Sequence, residues 1–248
     1  MIKKKTRLVR NTANWLFFFI LFFIFTVCPG YTGKTAFHEE CLSYRVYIRG
    51  IPVGEQSLRV AGETIYEGFP VYHIKTTLRS YAAVSLFFRY REQGVLYLDK
   101  EGFFPRYSYR EIEEQRKKTK EEIIFSPEKG EITSRITKNG RTTERVYSLP
   151  EEPCQENFSL VYYLRTRPWE KGRETFYFLT RGGPVKIDYH HLGFEEVNTP
   201  YKKLSADKID DPVSRITVWI SRDARAYPVR IRAREDFGTL DSLLVSVD

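Results

Sequence analysis

The sequence predicts a mainly β protein, built as one large curved antiparallel sheet or half-open β-barrel with one or two short helices. A signal or anchor helix is expected ahead of it. Alternation of apolar and polar residues recurs along most of the 248 residues, and Gly, Pro and Asn-Gly turn signals separate the runs. These runs amount to roughly a dozen strands, and a sheet of that size has to curl or close to limit its edges.

The N-terminus has the pattern of an export signal. Five basic residues precede an apolar run at residues 15–25, and the small or turn-forming Cys28, Pro29 and Gly30 follow. The pattern predicts a signal peptide over residues 1–30 and a single β-rich domain over residues 31–248. An uncleaved anchor is the alternative, because no charge occurs between Arg10 and Lys34. Cys28 also raises a lipid-attachment hypothesis, against which Val27 precedes it.

Charge and cysteine content agree with export to the periplasm or the outer face of the inner membrane. Of the net charge of +8, five charges belong to the first ten residues. The rest carries +3 with mixed signs, which argues against a nucleic-acid partner. In an oxidising compartment Cys41 and Cys154 are a candidate disulfide, with two free thiols as the alternative.

The first half reads as successive hairpins. Tyr44, Val46 and Ile48 alternate with polar residues, and residues 50–54 suggest a turn. Tyr72 and Ile74 share a strand face opposite His73. Residues 81–88 break the alternation and predict a short buried helix or a segment covering one mouth of the sheet, with core packing favoured over ligand contact.

The middle of the chain is more polar. The mixed-charge run at residues 111–122 predicts a solvated edge or a long exposed hairpin. Asn139-Gly140 fits a tight type I′ turn after a strand over residues 131–137. Asn157 is the predicted N-cap of a helix over residues 158–165, whose tyrosines would rest on the sheet with their hydroxyls toward water.

The second half returns to strands, at residues 175–179, 185–189, 192–197 and 239–247, with another predicted at residues 203–206. Residues 218–232 form the clearest predicted hairpin, and residues 95–107 are a looser copy of it. Each has an aromatic strand, a charged turn and a proline that opens the second strand. The repetition indicates a device of sheet construction.

No catalytic or metal-binding pattern emerges, and no cofactor is predicted. Asp188 and His190 form the one candidate pair on a strand face, and a structural role is favoured for them. No serine lies in a nucleophile-elbow pattern. Paired carboxylates such as Glu195 and Glu196 are adjacent in sequence and point to opposite faces of a strand.

Aromatic residues make up 15% of the chain, which indicates either a well-filled core or a concave apolar surface that holds a ligand. A row of arginines on one strand face could meet an anion, although a solvated face is the commoner explanation. The candidate ligand-binding residues are Trp219, Tyr97, Phe87, Phe88, Tyr162, Tyr163, Arg230 and Arg232.

Several segments in order resemble the exported bacterial proteins grouped as DUF3108, a family without an assigned function. They are residues 42–46, 50–55, 72–74, 159–166, 194–200 and 218–231. Glu156-Asn157 stands where that family usually has Asp-Pro. The strand-turn-Pro-Val-Arg hairpins are also similar, at the level of fold, to the half-barrel carriers that move lipoproteins across the periplasm, which implies a half-open barrel and no catalytic residue.

The leading hypothesis is therefore a non-enzymatic envelope protein that binds or carries a hydrophobic ligand, a lipid or a lipid-modified partner, on the inner face of a curved sheet. It would be attached to the inner membrane if the signal is uncleaved. The alternative is a scaffold that docks an envelope protein through the charged edge at residues 111–122. An envelope hydrolase is a third reading and would need two converging carboxylates.

Overall fold

Fifteen strands of a single sheet dominate the computed structural model of the chain. The residues that the structure describes are Phe37 and residues 39–167, 169, 172–211, 213–235 and 238–248. The predicted signal segment, residues 1–30, lies outside them. The prediction of a mainly β protein built on one large sheet is confirmed.

The first half contains eight strands and a short helix. They are β1 (Cys41–Ile48), β2 (Ile51–Tyr66), β3 (Phe69–Ser80), α1 (Ala82–Ser85), β4 (Tyr90–Asp99), β5 (Pro105–Glu114), β6 (Lys117–Ser126), β7 (Glu131–Lys138) and β8 (Arg141–Ser148). The second half contains β9 (Cys154–Gln155), α2 (Asn157–Arg165), β10 (Arg173–Thr180), β11 (Gly183–Asn198), β12 (Lys203–Asp211), β13 (Ile216–Ser221), β14 (Pro228–Glu235) and β15 (Gly238–Val247).

The strand order is nearly that of the chain. β8 to β1 follow one another, β1 pairs with β15, and β15 to β9 complete the sheet. Every pairing is antiparallel except β9 with β10, so the expected antiparallel sheet is mixed at one edge. Pairing of β1 with β15 joins the first strand to the last, because both present apolar residues such as Tyr44 and Leu244 to the same side.

The sheet curls until its two edges meet at a seam between β8 and the β10–β11 turn. The guanidinium of Arg145 and the hydroxyl of Tyr147 both donate to the carbonyl oxygen of Arg181, at 2.8 and 2.9 Å. The Tyr147 ring also lies against Gly183. These contacts cover part of the unpaired edge of β8, which would otherwise be open to strand pairing.

Helix α2 fills one end of the curled sheet. Leu160 and Leu164 pack into the cluster formed by β10–β13, Val161 into that of β1, β2 and β15, and Tyr162 into that of β2–β4. The helix is therefore buried all round, as expected for a helix in a core. The prediction that Tyr162 and Tyr163 turn their hydroxyls to water is wrong, since both side chains are buried.

The N-cap of α2 is Glu156 and not Asn157. The Glu156 carboxylate accepts from the backbone N–H groups of Phe158 and Ser159, while the Ser159 hydroxyl accepts from the backbone N–H of Glu156. This is a capping box with the acid and the hydroxyl exchanged. The sequence favoured Asn157 because a short side chain is the commoner N-cap.

The C-terminal end of α2 closes the sheet at that side, called the closed end here. The buried Arg165 guanidinium forms an ion pair with Glu40 and donates to the carbonyl oxygen of Ala226 at 3.0 Å. Its face lies over the Phe37 ring, 4.4 Å from the centroid. Removing Glu40 would leave a buried charge without its partner, which typically costs about 3–5 kcal/mol.

The two similar hairpins share one construction. In β4–β5 the register shifts between Tyr97 and Leu98, and Leu98 pairs with Pro105. In β13–β14 it shifts between Trp219 and Ile220, and Ile220 pairs with Pro228. A bulge followed by a proline that opens the next strand therefore occurs twice. Proline has no N–H group to donate, and at the start of a strand this costs no hydrogen bond of the ladder.

Local predictions had mixed outcomes. Asn139 and Gly140 both have positive φ, as a type I′ turn requires, so that prediction is confirmed. The first turn is only Arg49-Gly50, because residues 51–54 already belong to β2. Residues predicted as two strands at 185–189 and 192–197 form the single strand β11, with a bulge near Gly193.

The segment at residues 81–88 is neither core nor buried cover. Helix α1 has no buried residue, and Leu86 and Phe87 are 82% and 87% exposed. No helix within the described residues has both the length and the hydropathy needed to span a membrane.

The predicted Cys41–Cys154 disulfide is not formed. Both residues are free thiols. Cys154 is buried beside Phe125 and Ile132 under β6 and β7, whereas Cys41 opens β1 opposite Arg59. Burial raises the pKa of the Cys154 thiol to about 12.

Candidate functional site

An open cavity occupies the end of the sheet that α2 does not fill, called the end cavity here. The first turn of α2 forms its floor, through Asn157 and Phe158. It consists of two adjoining lobes of about 620 and 660 Å³ that share Arg110 and Arg181. Either lobe falls within the roughly 300–1,000 Å³ of small-molecule sites.

One side of the end cavity is apolar. Its lining comes from the inward-facing positions of β1–β3 and β13–β15, together with α2. The apolar residues are Val46, Leu58, Leu78, Phe158, Val161, Ile216, Ile231, Ala233 and Leu240. They share a face because cross-strand partners such as Ile231 and Val218 point to the same side of the sheet.

The opposite side is basic, and its cations lie on β7, β8 and the β10–β11 turn. Lys138, Arg141, Arg145 and Arg181 line the lobe, and Tyr147 lies beside them. In the part of the chain that the structure describes, none of these four cations forms an ion pair with a carboxylate. This wall therefore presents positive charge to whatever enters the end cavity.

Between the walls, an ionic cluster links the cavity floor to the sheet. Arg110 forms ion pairs with Glu121 and, at 3.6 Å, with Glu92. The Tyr90 hydroxyl donates to Glu92 at 2.6 Å. Burial alone would lower the pKa of Arg110, but the charges of Glu92, Glu121 and Glu156 outweigh it and raise that pKa.

Glu156 lies deepest in this cluster, at the cap of α2. Burial raises the pKa of its carboxyl group, while the N–H groups of Ser159 and Phe158 and the charge of Arg110 act in the opposite direction. The three carboxylates each have a cation, a hydroxyl or backbone donors as partners, so their geometry is that of a structural network.

The eight predicted ligand-binding residues do not line the end cavity. Tyr162 and Tyr163 are buried in the packing of α2, and Phe87 and Phe88 belong to the exposed segment after α1. Tyr97 lies on the outer face, where its ring contacts Tyr66, His73 and Tyr107. The expectation of a shared inner aromatic surface is therefore not met.

Trp219 is also buried, at 1% exposure: it belongs to the cluster of Val161, Val229 and Leu244, and its cross-strand partners are Lys208 and Arg230. Its indole N–H donates to Glu195 at 2.5 Å. Arg230 and Arg232 cover the ring, with guanidinium carbons 4.8 and 5.5 Å from it.

Both of these arginines are paired with one carboxylate. They donate to Asp241 at 2.8 and 2.9 Å. Although burial alone would raise it, these hydrogen bonds hold the pKa of Asp241 below its ordinary value. The arginine row predicted from the sequence is therefore a packed and paired face, and the unpaired cations lie elsewhere.

The sequence contains a signal for the basic wall. Arg141, Thr143, Arg145 and Tyr147 alternate along one strand and so share a face. Lys138 joins them across the Asn139-Gly140 turn, because it pairs with Arg141. Arg181 directly precedes the Gly182-Gly183-Pro184 turn, where no alternation marks its face.

Other predicted sites resolve into local pairing. Asp188, one of the candidate pair with His190, accepts hydrogen bonds from Arg173 and, at 2.6 Å, from Thr175. Its carboxylate is therefore engaged with neighbouring side chains of the sheet. Among the described residues no group of three His, Cys, Asp or Glu side chains could hold a metal ion. The charged run at residues 111–122 forms an exposed hairpin as predicted, and its Lys120 and Glu111 pair at 3.0 Å across the ladder.

Fold and site together define a class: a barrel-like β protein whose single sheet is half filled by its own helix and open at the other end. The family model described as a protein of unknown function (DUF3108) matches residues 43–245, and the chain belongs to this family. The resemblance seen in the sequence is thus confirmed.

Solved structures that are similar to this chain match it at low identity. A beta-barrel-like protein of the domain of unknown function DUF1849 from Brucella abortus has a TM-score of 0.52 and 10% identity, over 85% of this chain and 97% of that chain. A Bacteroides fragilis protein with a YmcC-like fold has a TM-score of 0.32 and 11% identity, over 86% and 96%. Comparison with curated proteins finds no match. Identity this low shows the fold alone.

Proposed function

We propose that the chain is a non-enzymatic extracytoplasmic protein that binds an amphiphile with an anionic head group in the end cavity. The observation that carries the proposal is the opposition of an apolar wall around Leu58, Leu78 and Ile231 to a wall of four cations that pair with no carboxylate among the described residues. A hydrocarbon chain fits the first and a carboxylate or phosphate fits the second.

The size of the cavity limits the ligand. Because α2 fills the closed end, only the open end is available, and lobes of about 620 and 660 Å³ suit one acyl chain with its head group better than a whole lipidated protein. The proposal thus narrows the sequence-based hypothesis of a lipid or lipid-modified partner.

Two observations favour ligand binding over the enzyme and scaffold alternatives. The carboxylates beside the cavity are engaged with Arg110, Tyr90 and the cap of α2, which leaves no pair poised for acid–base work. In the β5–β6 hairpin Lys120 pairs with Glu111 and Arg110 with Glu121 across the ladder, which reduces the charge that these strands offer a docking partner and weakens the scaffold alternative. The extracytoplasmic location rests on the basic-then-apolar N-terminal pattern.

The proposal is tested by displacement of a fluorescent fatty acid from the purified full chain by saturated fatty acids and by alcohols of the same length. We expect the acids to displace the probe at lower concentration than the alcohols. The double variant Lys138→Gln/Arg141→Gln should weaken acid binding by roughly fivefold to thirtyfold, from about 0.5–1 kcal/mol per exposed charge, and leave alcohol binding unchanged.

The matched control is Arg59→Gln/Lys75→Gln, which removes two exposed cations from the outer face. A third variant, Leu78→Ser, should weaken acids and alcohols alike because it polarises the apolar wall. Absence of saturable binding across the series, or equal losses in the two double variants, would refute the proposal.

A further inference from the structure

Three consecutive apolar side chains stand exposed at the open end of the sheet. Leu86, Phe87 and Phe88, here called the apolar tip, are 82%, 87% and 42% exposed. Soluble proteins rarely expose such a run, because each side chain keeps its full unfavourable hydration in the folded state. The tip follows α1, and no segment among the described residues covers it.

The tip is held in a defined conformation. At its base the Ser80 and Ser85 hydroxyls lie 2.7 Å apart, and the Tyr90 N–H donates to the Ser80 hydroxyl at 3.0 Å. At its side, the Gln115 side-chain amide donates to the carbonyl of Phe87 at 2.9 Å, and the Gln115 N–H donates to the carbonyl of Arg89 at 2.8 Å. These hydrogen bonds hold the apolar tip in one conformation, so it can insert into an apolar environment without first becoming ordered.

The same contacts set a cluster of cations beside the tip. Gln115 and Arg116 form the β5–β6 turn, Lys117 and Lys118 open β6, and all three cations are exposed. Within the described residues none of the three forms an ion pair with a carboxylate. Exposed Phe and Leu flanked by Lys and Arg is the combination that binds the interface of an anionic bilayer.

We propose that the apolar tip docks on an anionic membrane surface, with Leu86 and Phe87 entering the acyl region and Arg116, Lys117 and Lys118 meeting the head groups. A hydrophobic groove of another protein would be served by the apolar residues alone, whereas the adjoining cations are complementary to a negatively charged surface. The Phe88 ring stacks on Tyr90, which lines the end cavity, so docking places the cavity mouth at the membrane.

The test uses tryptophan fluorescence of the full chain with vesicles of phosphatidylglycerol carrying brominated acyl chains. These chains quench an indole only when it enters the acyl region of the bilayer. Phe87→Trp reports on the tip. Ile65→Trp is the matched control, because Ile65 is 66% exposed but lies beside the β2–β3 turn at the closed end. Any contact that the N-terminal segment makes with the vesicle adds equally to both variants.

We expect the indole at position 87 to be quenched well above the wild-type background and the indole at position 65 to stay at that background. Adding Arg116→Gln/Lys117→Gln/Lys118→Gln to the Phe87→Trp chain should weaken its partition by roughly tenfold or more. In uncharged phosphatidylcholine vesicles the quenching should fall in the same way.

Equal quenching at positions 65 and 87, or equal quenching of Phe87→Trp by charged and uncharged vesicles, overturns the proposal. A blue shift of Phe87→Trp that grows with protein concentration without vesicles also overturns it, by assigning the tip to a second copy of the chain. The measurement needs no ligand in the end cavity, so its failure leaves the amphiphile proposal standing.

Discussion

Cys154 is a buried thiol, and its environment sets its reactivity. It lies against Phe125 and Ile132, and burial raises its pKa to about 12. At pH 8 only about one such thiol in ten thousand is ionised, and the thiolate is the nucleophile. We expect iodoacetamide to leave Cys154 unmodified in the folded chain and to modify it readily in denaturant.

Peptide mapping by mass spectrometry measures this labelling and also tests whether Cys41 and Cys154 form a disulfide. Cys41 is half-buried and serves as the internal comparison, with faster labelling expected in the folded chain. A Cys41–Cys154 linked peptide under non-reducing conditions, or equal labelling of Cys154 in the folded and unfolded chain, would contradict the structure.

At the residue scale the sequence could identify side-chain types but not their neighbours. Arg230 and Arg232 form a charged row in the sequence, and Asp241 pairs with both of them from the next strand. Arg141 and Arg181 stand in no such row, and no carboxylate among the described residues pairs with them. Partner identity depends on strand register, which period-2 patterning alone does not specify.

At the element scale, α2 is a short helix held from all sides. Its cap, Glu156, is also the deepest carboxylate of the Arg110 cluster, so one residue fixes both the start of the helix and the floor of the end cavity. Burial raises its folded-state pKa above the ordinary value of 4.5. Its contribution to stability is therefore fully present below about pH 4.5 and is lost as the pH rises through the folded pKa.

This linkage predicts different behaviour for two substitutions. Glu156→Gln keeps an acceptor for the N–H groups of Phe158 and Ser159 and cannot ionise, so its free energy of unfolding should fall less than that of the wild type as the pH rises from 4.5 to 8. Glu156→Ala loses both hydrogen bonds and should be destabilised by about 1–2 kcal/mol near pH 4.5, and this deficit should narrow at higher pH as the wild type loses stability.

Urea unfolding at several pH values gives these free energies. Glu128→Gln, an exposed carboxylate in the β6–β7 turn, controls for the removal of one negative charge. Parallel pH profiles for Glu156→Gln and the wild type would show that Glu156 does not titrate in the folded state as inferred.

Elements were predictable where local signals suffice. The Asn139-Gly140 hairpin and the β13–β14 hairpin followed from turn chemistry and alternation. Residues 81–88 were misread because an apolar run is assigned to the core by default, and α2 was misread as resting on a sheet because nothing local says that a sheet surrounds it. Both errors concern what lies around an element, which only the tertiary fold decides.

At the scale of the whole domain, the sheet closes by contact and not by a continuous ladder. At the seam the edge strand β8 meets the β10–β11 turn through Arg145, Tyr147 and the Arg181 carbonyl. The same residues form part of the basic wall of the end cavity. The seam and the end cavity therefore share residues, and loosening the seam should alter access to the end cavity.

Gly183 tests this link. A Cβ there would lie 2.9 Å from the Tyr147 ring, and the φ of +114° suits glycine alone, so Gly183→Ala should cost about 1–3 kcal/mol and push Tyr147 off the seam. Hydrogen exchange should then rise in β8 and stay unchanged in α2. Gly182→Ala is the control, because its nearest contact is Thr180 Oγ1 at 3.7 Å. Equal exchange in β8 for both variants would show that Tyr147 does not hold the seam.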